Sequence, residues 1–182
     1  MQGQVFLGSD ATQRDAIFAA RDRCDGTDDR IRCIRTHHHK LIRNYHPERP
    51  YMQFNGYKKQ QYPLWSLVPL LSERGELSPA QQHFTKQTRP PEELYDLTAD
   101  PYEINNLAND PRYDTVRNEL AAQLDAWITE TGDMGEIPES SEIMTYWDEN
   151  MAESFKQGMG KRGLSPDISN AAYVKWWEHH LR

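Results

Sequence analysis

Three short strand-like segments close together near the start of the chain, Ile17–Arg23, Arg30–Arg35 and Lys40–Tyr45, limit what it can fold into. Each has the length of a strand. Asp25-Gly26-Thr27-Asp28 is a turn signal, and Thr36-His37-His38-His39 is short enough for a hairpin link. Adjacent strands with polar turns predict an antiparallel sheet with one wet face. Strict alternation places Ile31 and Cys33 on one face and Arg30 and Arg32 on the other. A fourth strand is expected at Glu93–Leu97.

Helical signals follow. Residues 46–62, with Pro47, Pro50 and Gly56, read as a loop. Leu64, Leu67, Val68 and Leu71 recur at helical spacing before Gly75. Ser78-Pro79-Ala80-Gln81 reads as a capping box that opens a second short helix, broken by Arg89-Pro90-Pro91. Asp110-Pro111 starts a longer helix, with Tyr113, Val116, Leu120, Leu124, Trp127 and Ile128 in one stripe and Gly132 at its end. This helix is expected to pack on one face of the sheet. Tyr146, Trp147, Met151 and Phe155 predict an amphipathic helix, and Gly158–Ser169 a linker. Asn170 would cap a last helix carrying Tyr173, Trp176, Trp177, His180 and Leu181. The sum is an α+β fold: a small four-stranded antiparallel sheet packed with a C-terminal helix, plus a helical insertion and a helical tail. The expected division is residues 1–140 as one subdomain and 141–182 as the tail.

Composition narrows the function classes. A net charge of -7 argues against general nucleic-acid binding, which needs a basic face to displace phosphate counterions. Only 37% of residues are hydrophobic and the mean hydropathy is -0.91, so the core is small relative to the surface. No apolar run is long enough to span a membrane. The start, Met1-Gln2-Gly3-Gln4 followed by Val5-Phe6-Leu7, lacks the basic region and long apolar stretch of a signal peptide. Cys24 and Cys33 fit a disulfide across a turn or two half-buried thiols, with the thiols favoured.

Few residues suggest chemistry. In a strand only His37 and His39 of the triple histidine would share a face, and no further donor has ligand spacing, so a polar turn is favoured over a metal site. Asp28-Asp29 reads as a solvated turn. Neither cysteine opens a Cys-x-Pro-x-Arg motif, and no phosphate loop or Gly-x-Ser-x-Gly elbow is present. No catalytic or metal-binding residue is therefore assigned. Arg21-Asp22-Arg23 is the best functional candidate. Charges at a strand end are costly unless paired or facing a cleft, and guanidinium holds sulfate or carboxylate with paired donors. The competing reading is an Arg–Asp ion pair that closes the sheet edge. Arg43, Asn44 and His46 make a weaker case of the same kind. Arg21, Asp22, Arg23 and His46 are the candidate substrate-binding residues.

The stretch Glu93-Leu94-Tyr95-Asp96-Leu97, continuing Asp100-Pro101 and Asn106-Leu107-Ala108-Asn109-Asp110-Pro111, resembles a signature near the C-terminus of sulfatases, the alkaline-phosphatase-like hydrolases of sulfate esters and sulfamates. Phe18–Arg23, Asp29–Arg32 and Lys40–Tyr51 resemble the C-terminal subdomain of sulfatases of the heparan N-sulfatase (sulfamidase) type. The resemblance covers about residues 3–140. It implies a four-stranded sheet with a packed helix, docked on a large catalytic domain that carries formylglycine and calcium. No position here matches the motifs for either group, so the chain is expected to hold no cofactor and to be inactive alone. Met1 resembles an internal residue of a longer frame or a start created by truncation. Implied partners are the catalytic domain, in cis or as a separate chain, and a sulfated glycan. The family is usually periplasmic, secreted or lysosomal. Alternative readings are an anionic-glycan module using Arg21, Arg23, Arg30 and Arg32, and, most weakly, a self-contained hydrolase.

Overall fold

The computed structural model describes residues 5–181. Strands β1 (Ala16–Cys24), β2 (Thr27–Thr36), β3 (His39–Asn44) and β4 (Glu92–Asp96) form one antiparallel sheet in the order β1-β2-β3-β4. The helices are α1 (Gly56–Gln61), α2 (Leu64–Glu73), α3 (Pro79–Gln82), α4 (Asp114–Thr131), α5 (Ser141–Lys161) and α6 (Asn170–His180). The α+β class read from the sequence is the observed one. The chain forms two compact units that interleave along the sequence. The first comprises residues up to Ala20, Ile31–Asn44 and Pro91–Asp133; the second comprises Arg21–Arg30, Tyr45–Pro90 and Met134 onward. A division at residue 140 between a family-related part and a tail remains a proposal.

In the first unit, cross-strand register lines up Ile34 with Leu41 and Leu41 with Leu94. These three side chains are fully buried and meet Leu120 and Leu124 of α4. The next row on that face is charged, because Arg32 pairs with Arg43 and Arg43 with Glu92. The helix side answers both rows. Arg117 of α4 bonds Glu92 at 2.8 Å, Asp125 of α4 takes Arg43, and Asp133 just past the helix takes Arg32 through both oxygens. Phe18 stacks on Trp127 with ring centres 5.2 Å apart. Asp110 accepts from the Arg112 N–H and opens a 3-10 turn at Pro111–Tyr113, and α4 follows. Gly132 closes α4 at φ 60, a left-handed conformation that glycine adopts without steric cost.

The expected wet face for Arg32 is therefore wrong. Buried positions in β2 are Thr27 and Asp29, then Arg32 and Ile34, so the alternation slips by one residue between Asp29 and Arg32. Arg32 is 1% exposed, a burial that its paired bonds to Asp133 make tolerable.

In the second unit, the expected loop over residues 46–62 ends in a short helix. Asn55 accepts from the Lys58 N–H and starts α1. The expected linker from Gly158 is also overturned, since α5 runs through Gly158 and Gly160 to Lys161. A Cβ at Gly158 would lie 2.3 Å from Gln60 Oε1, and one at Gly56 3.1 Å from Phe155 Cβ. The glycines thus let α1 and α5 approach closely, and Gln60 donates to the Phe155 carbonyl at 3.1 Å. Phe155, Met159 and Tyr173 form this unit's core, with Trp176 and Trp177 packed against it. The Arg162 guanidinium lies over both indoles, at 5.4 and 5.2 Å. Of the expected α5 stripe, Phe155 is buried and Met151 half-buried, whereas Tyr146 and Trp147 are exposed. Ser169, not Asn170, caps α6. Leu181 is exposed.

Leu124→Ala should lower the unfolding free energy by about 3 kcal/mol, and Tyr146→Ala by under about 0.5 kcal/mol. Urea unfolding of the full chain measures both; similar losses at the two positions would contradict this assignment of core and surface.

Candidate functional site

The residues singled out for binding lie in the second unit, around a carboxylate that sequence reasoning placed in water. Asp29 belongs to β2, not to a solvated turn, and its side chain is 0% exposed. Gln53 Nε2 donates to Asp29 Oδ2 at 2.7 Å, and the Arg30 N–H donates to Oδ1 at 2.9 Å. Arg89 Nη2 donates to Oδ1, and Arg21 Nη1 lies 3.9 Å from Oδ2. Arg89 is buried too. It also donates through Nη2 to the His46 carbonyl at 3.2 Å and through its N–H to the Pro47 carbonyl at 2.9 Å. Burial pushes the Asp29 carboxyl up. The Arg89 hydrogen bond and charge, the Arg30 N–H and the Arg21 charge outweigh that, and the net shift is below the ordinary 3.8.

This network gathers two of the four candidate residues. Arg21 contacts Asp29, and the His46 backbone is held by Arg89. The side chains of both are about one-third exposed. His46 Nδ1 lies 3.2 Å from Glu48 Oε1. Arg23 is engaged elsewhere, with Glu139 at 2.7 Å and the Asp25 carbonyl at 3.4 Å. Asp22 is exposed. Of the weaker candidates, Arg43 belongs to the charged row under α4, and Asn44 donates to buried Glu93 at 2.6 Å. Arg30 lies 3.8 Å above the Tyr45 ring and 3.7 Å from Glu136. Sequence reasoning missed Asp29, Gln53 and Arg89. The isolated hydrophilic Thr27 and Asp29, in phase at the start of a strand, were the only trace of the buried acid.

The family-like stretch is a set of backbone caps. Asp96 Oδ1 accepts from the Thr98 and Ala99 N–H groups at 2.9 and 3.1 Å, and these bonds hold its carboxyl below the ordinary range. Asp100 Oδ2 accepts from Ile104 and Asn105 at 2.8 and 2.7 Å. Asn106 Oδ1 accepts from Leu94 and Ala108, both at 2.9 Å. The signature thus builds the turn from β4 toward α4 and presents no reactive group.

The two groups that the family resemblance implies, calcium and formylglycine, find no matching donor set or motif among the described residues. Among the described residues no group of three His, Cys, Asp or Glu side chains is placed to hold a metal ion. Cys24 and Cys33 are free thiols without a formylglycine motif, and burial pushes the Cys33 thiol up. No helix among the described residues is long and apolar enough to cross a membrane.

Because the folded Asp29 carboxyl titrates below its unfolded value, its contribution is complete above about pH 4 and fades as pH falls through the lower folded value. Asp29→Asn should therefore cost about 2–4 kcal/mol near neutrality, and the gap from wild type should shrink on acidification. Denaturant unfolding at several pH values measures it; a gap that stays constant down to about pH 2 would contradict this linkage.

No family model matches the chain. Over 148 residues it is 40% identical to an ulvan-active sulfatase of Formosa agariphila, a match covering 81% of this chain and 25% of that protein. A second ulvan-active sulfatase of the same organism is 30% identical over 143 residues, covering 74% of this chain and 26% of its own length. The chain thus spans about a quarter of the curated relatives it matches. Among solved structures, a 2-O GAG sulfatase has a TM-score of 0.43 and 19% identity, with 72% of this chain and 19% of that chain covered. A protein in complex with its substrate D-glucosamine-2-N,6-O-disulfate has a TM-score of 0.41 and 18% identity, with 73% and 20% covered. These structural likenesses are too distant to add to the assignment, which rests on the sequence relatives and the ordered motifs. The chain belongs to the sulfatases, as sequence of their C-terminal subdomain.

Proposed function

We propose that this chain serves as the C-terminal part of a sulfuric ester hydrolase, where it supports the substrate cleft and is not catalytic alone. The observation that carries this reading is the 40% identity to a quarter of an ulvan-active sulfatase, in a chain whose described residues hold no metal-binding group. Its natural partner is a sulfatase catalytic domain, which supplies calcium and formylglycine. The substrate is ulvan or a related sulfated glycan, and the working compartment is an exported one. Exposed apolar side chains support a docking role: Phe6 and Ile17 in the first unit, Met134 and Ile137 in the second.

Within that reading, Arg21 and His46 face the substrate while Asp29 lies against the Arg21 guanidinium and Arg89 holds the His46 backbone, with Asp22 and Arg23 nearby on the strand of Arg21. A guanidinium and an imidazole suit a sulfate or carboxylate group. A separate module gripping anionic glycans through Arg21, Arg23, Arg30 and Arg32 is less well supported. Each of those arginines has a carboxylate within 4 Å, and Arg32 is buried.

The pure chain should release no sulfate from an aryl sulfate or from ulvan; release would overturn the non-catalytic reading. Replacing the matching segment of the Formosa agariphila sulfatase with this chain should keep it active. In that chimera Arg21→Ala and His46→Ala should each raise KM about tenfold, with kcat changed less than about twofold. An inactive but folded chimera, or unchanged KM in both variants, would refute the assigned role.

A further inference from the structure

We propose that the second unit carries a binding site for a neutral pyranose, in a cleft beside the segment that carries the buried Asp29 contacts. The cleft has a volume of about 280 Å³ and lies between the β1–β2 turn, the loop before α1 and the first half of α5. Arg23, Arg49, Asp28, Asp148, Phe54 and Met144 line it. That volume suits a single sugar ring, below the usual span of about 300–1,000 Å³ for drug-sized ligands.

The lining selects the ligand. Two guanidiniums and two carboxylates face the cleft, so their formal charges cancel, and Glu139 beside Arg23 adds a further negative charge. Arg49 is already held by Asp28, with Nη1 and Nη2 each 3.3 Å from Oδ2. A sulfate or carboxylate entering here would meet two acids and would have to displace Asp28. A neutral ring would not. Its hydroxyls can donate to Asp28 and Asp148 and accept from Arg23 and Arg49. Phe54, 64% exposed, and Met144, 37% exposed, offer an apolar surface to the C–H face of a sugar.

The walls are built before any ligand arrives. The loop that carries Arg49 and Phe54 has no regular structure, yet side chains pin it. Thr27 Oγ1 donates to the Phe54 carbonyl at 2.9 Å, Gln53 donates to Asp29 at 2.7 Å, and Asn55 Nδ2 donates to Asp25 Oδ2 at 3.0 Å. Gly26 lies on the floor, where a Cβ would meet Met151 Cβ at 3.4 Å and Asp148 Oδ1 at 3.8 Å, both ordinary contact distances. Such pre-organisation spares a weak ligand the cost of ordering its site.

This inference goes beyond the sulfatase reading, and an inactive chimera would leave it standing. It is tested by amide NMR titration of the full chain with neutral xylo- and gluco-trisaccharides, and with a sulfated trisaccharide of the same backbone. Saturable shifts at Gly26, Gln53, Phe54 and Asp148 are expected from at least one neutral sugar. Phe54→Ala and Asp148→Asn should each weaken binding about tenfold, and the exposed Asp148→Asn variant should keep the parent melting temperature. Absence of saturable shifts, shifts mapping elsewhere, tighter binding of the sulfated sugar in this cleft, or wild-type affinity in Asp148→Asn would overturn the proposal.

Discussion

The buried carboxylate of Asp29 is the point on which the second unit depends. One acid with no solvent exposure receives a guanidinium from Arg89, an amide from Gln53 and a backbone N–H from Arg30, with Arg21 alongside. Stripping water from a carboxylate and a guanidinium costs several kcal/mol for each ion, and the hydrogen bonds that converge on the Asp29 carboxylate offset it. The gain is conformational. Arg89 reaches the carbonyls of His46 and Pro47, so one contact set joins the start of β2, the segment after β3 and the residue before Pro90-Pro91. The long loop from Tyr45 to Asn55 acquires a fixed course without strands or helices.

The first unit solves its packing differently. An apolar row, Ile34–Leu41–Leu94, runs beside a charged row, Arg32–Arg43–Glu92, on one face of the sheet. Leucines of α4 cover the first, and Arg117, Asp125 and Asp133 neutralise the second. A chain with modest hydrophobic content thereby covers a sheet face with few apolar residues. The stretch that resembles the sulfatase signature is equally structural: Asp96, Asp100, Asn106 and Asp110 each cap backbone N–H groups.

Much of this was legible in the sequence. The strands, the capping box at Ser78, the stripe along α4 and the stop at Gly132 are all local patterns, and each appears where periodicity and cap chemistry put it. What the sequence hid depends on contacts distant along the chain. Arg32 points inward because Asp133, far along the chain, waits for it, and strict alternation cannot show a one-residue slip. Asp29 looked like part of a solvated turn because its partners, Gln53 and Arg89, lie in loops. Gly158 looked like a linker residue because its meaning, a close approach to Gln60, exists only after α1 and α5 meet. Strand-end charges drew attention to Arg21, Asp22, Arg23 and His46, whereas the acid that lies against Arg21 and, through Arg89, links to the His46 carbonyl left no such mark.

A double-mutant cycle between Asp29 and Arg89, read by denaturant unfolding of the full chain, tests this account most directly. Asp29→Asn, Arg89→Met and the double variant should give a coupling energy of at least about 2 kcal/mol, with the double variant recovering much of the loss of either single one. A coupling indistinguishable from zero would mean that the buried pair does not organise the loop, and the account of the site would fall with it.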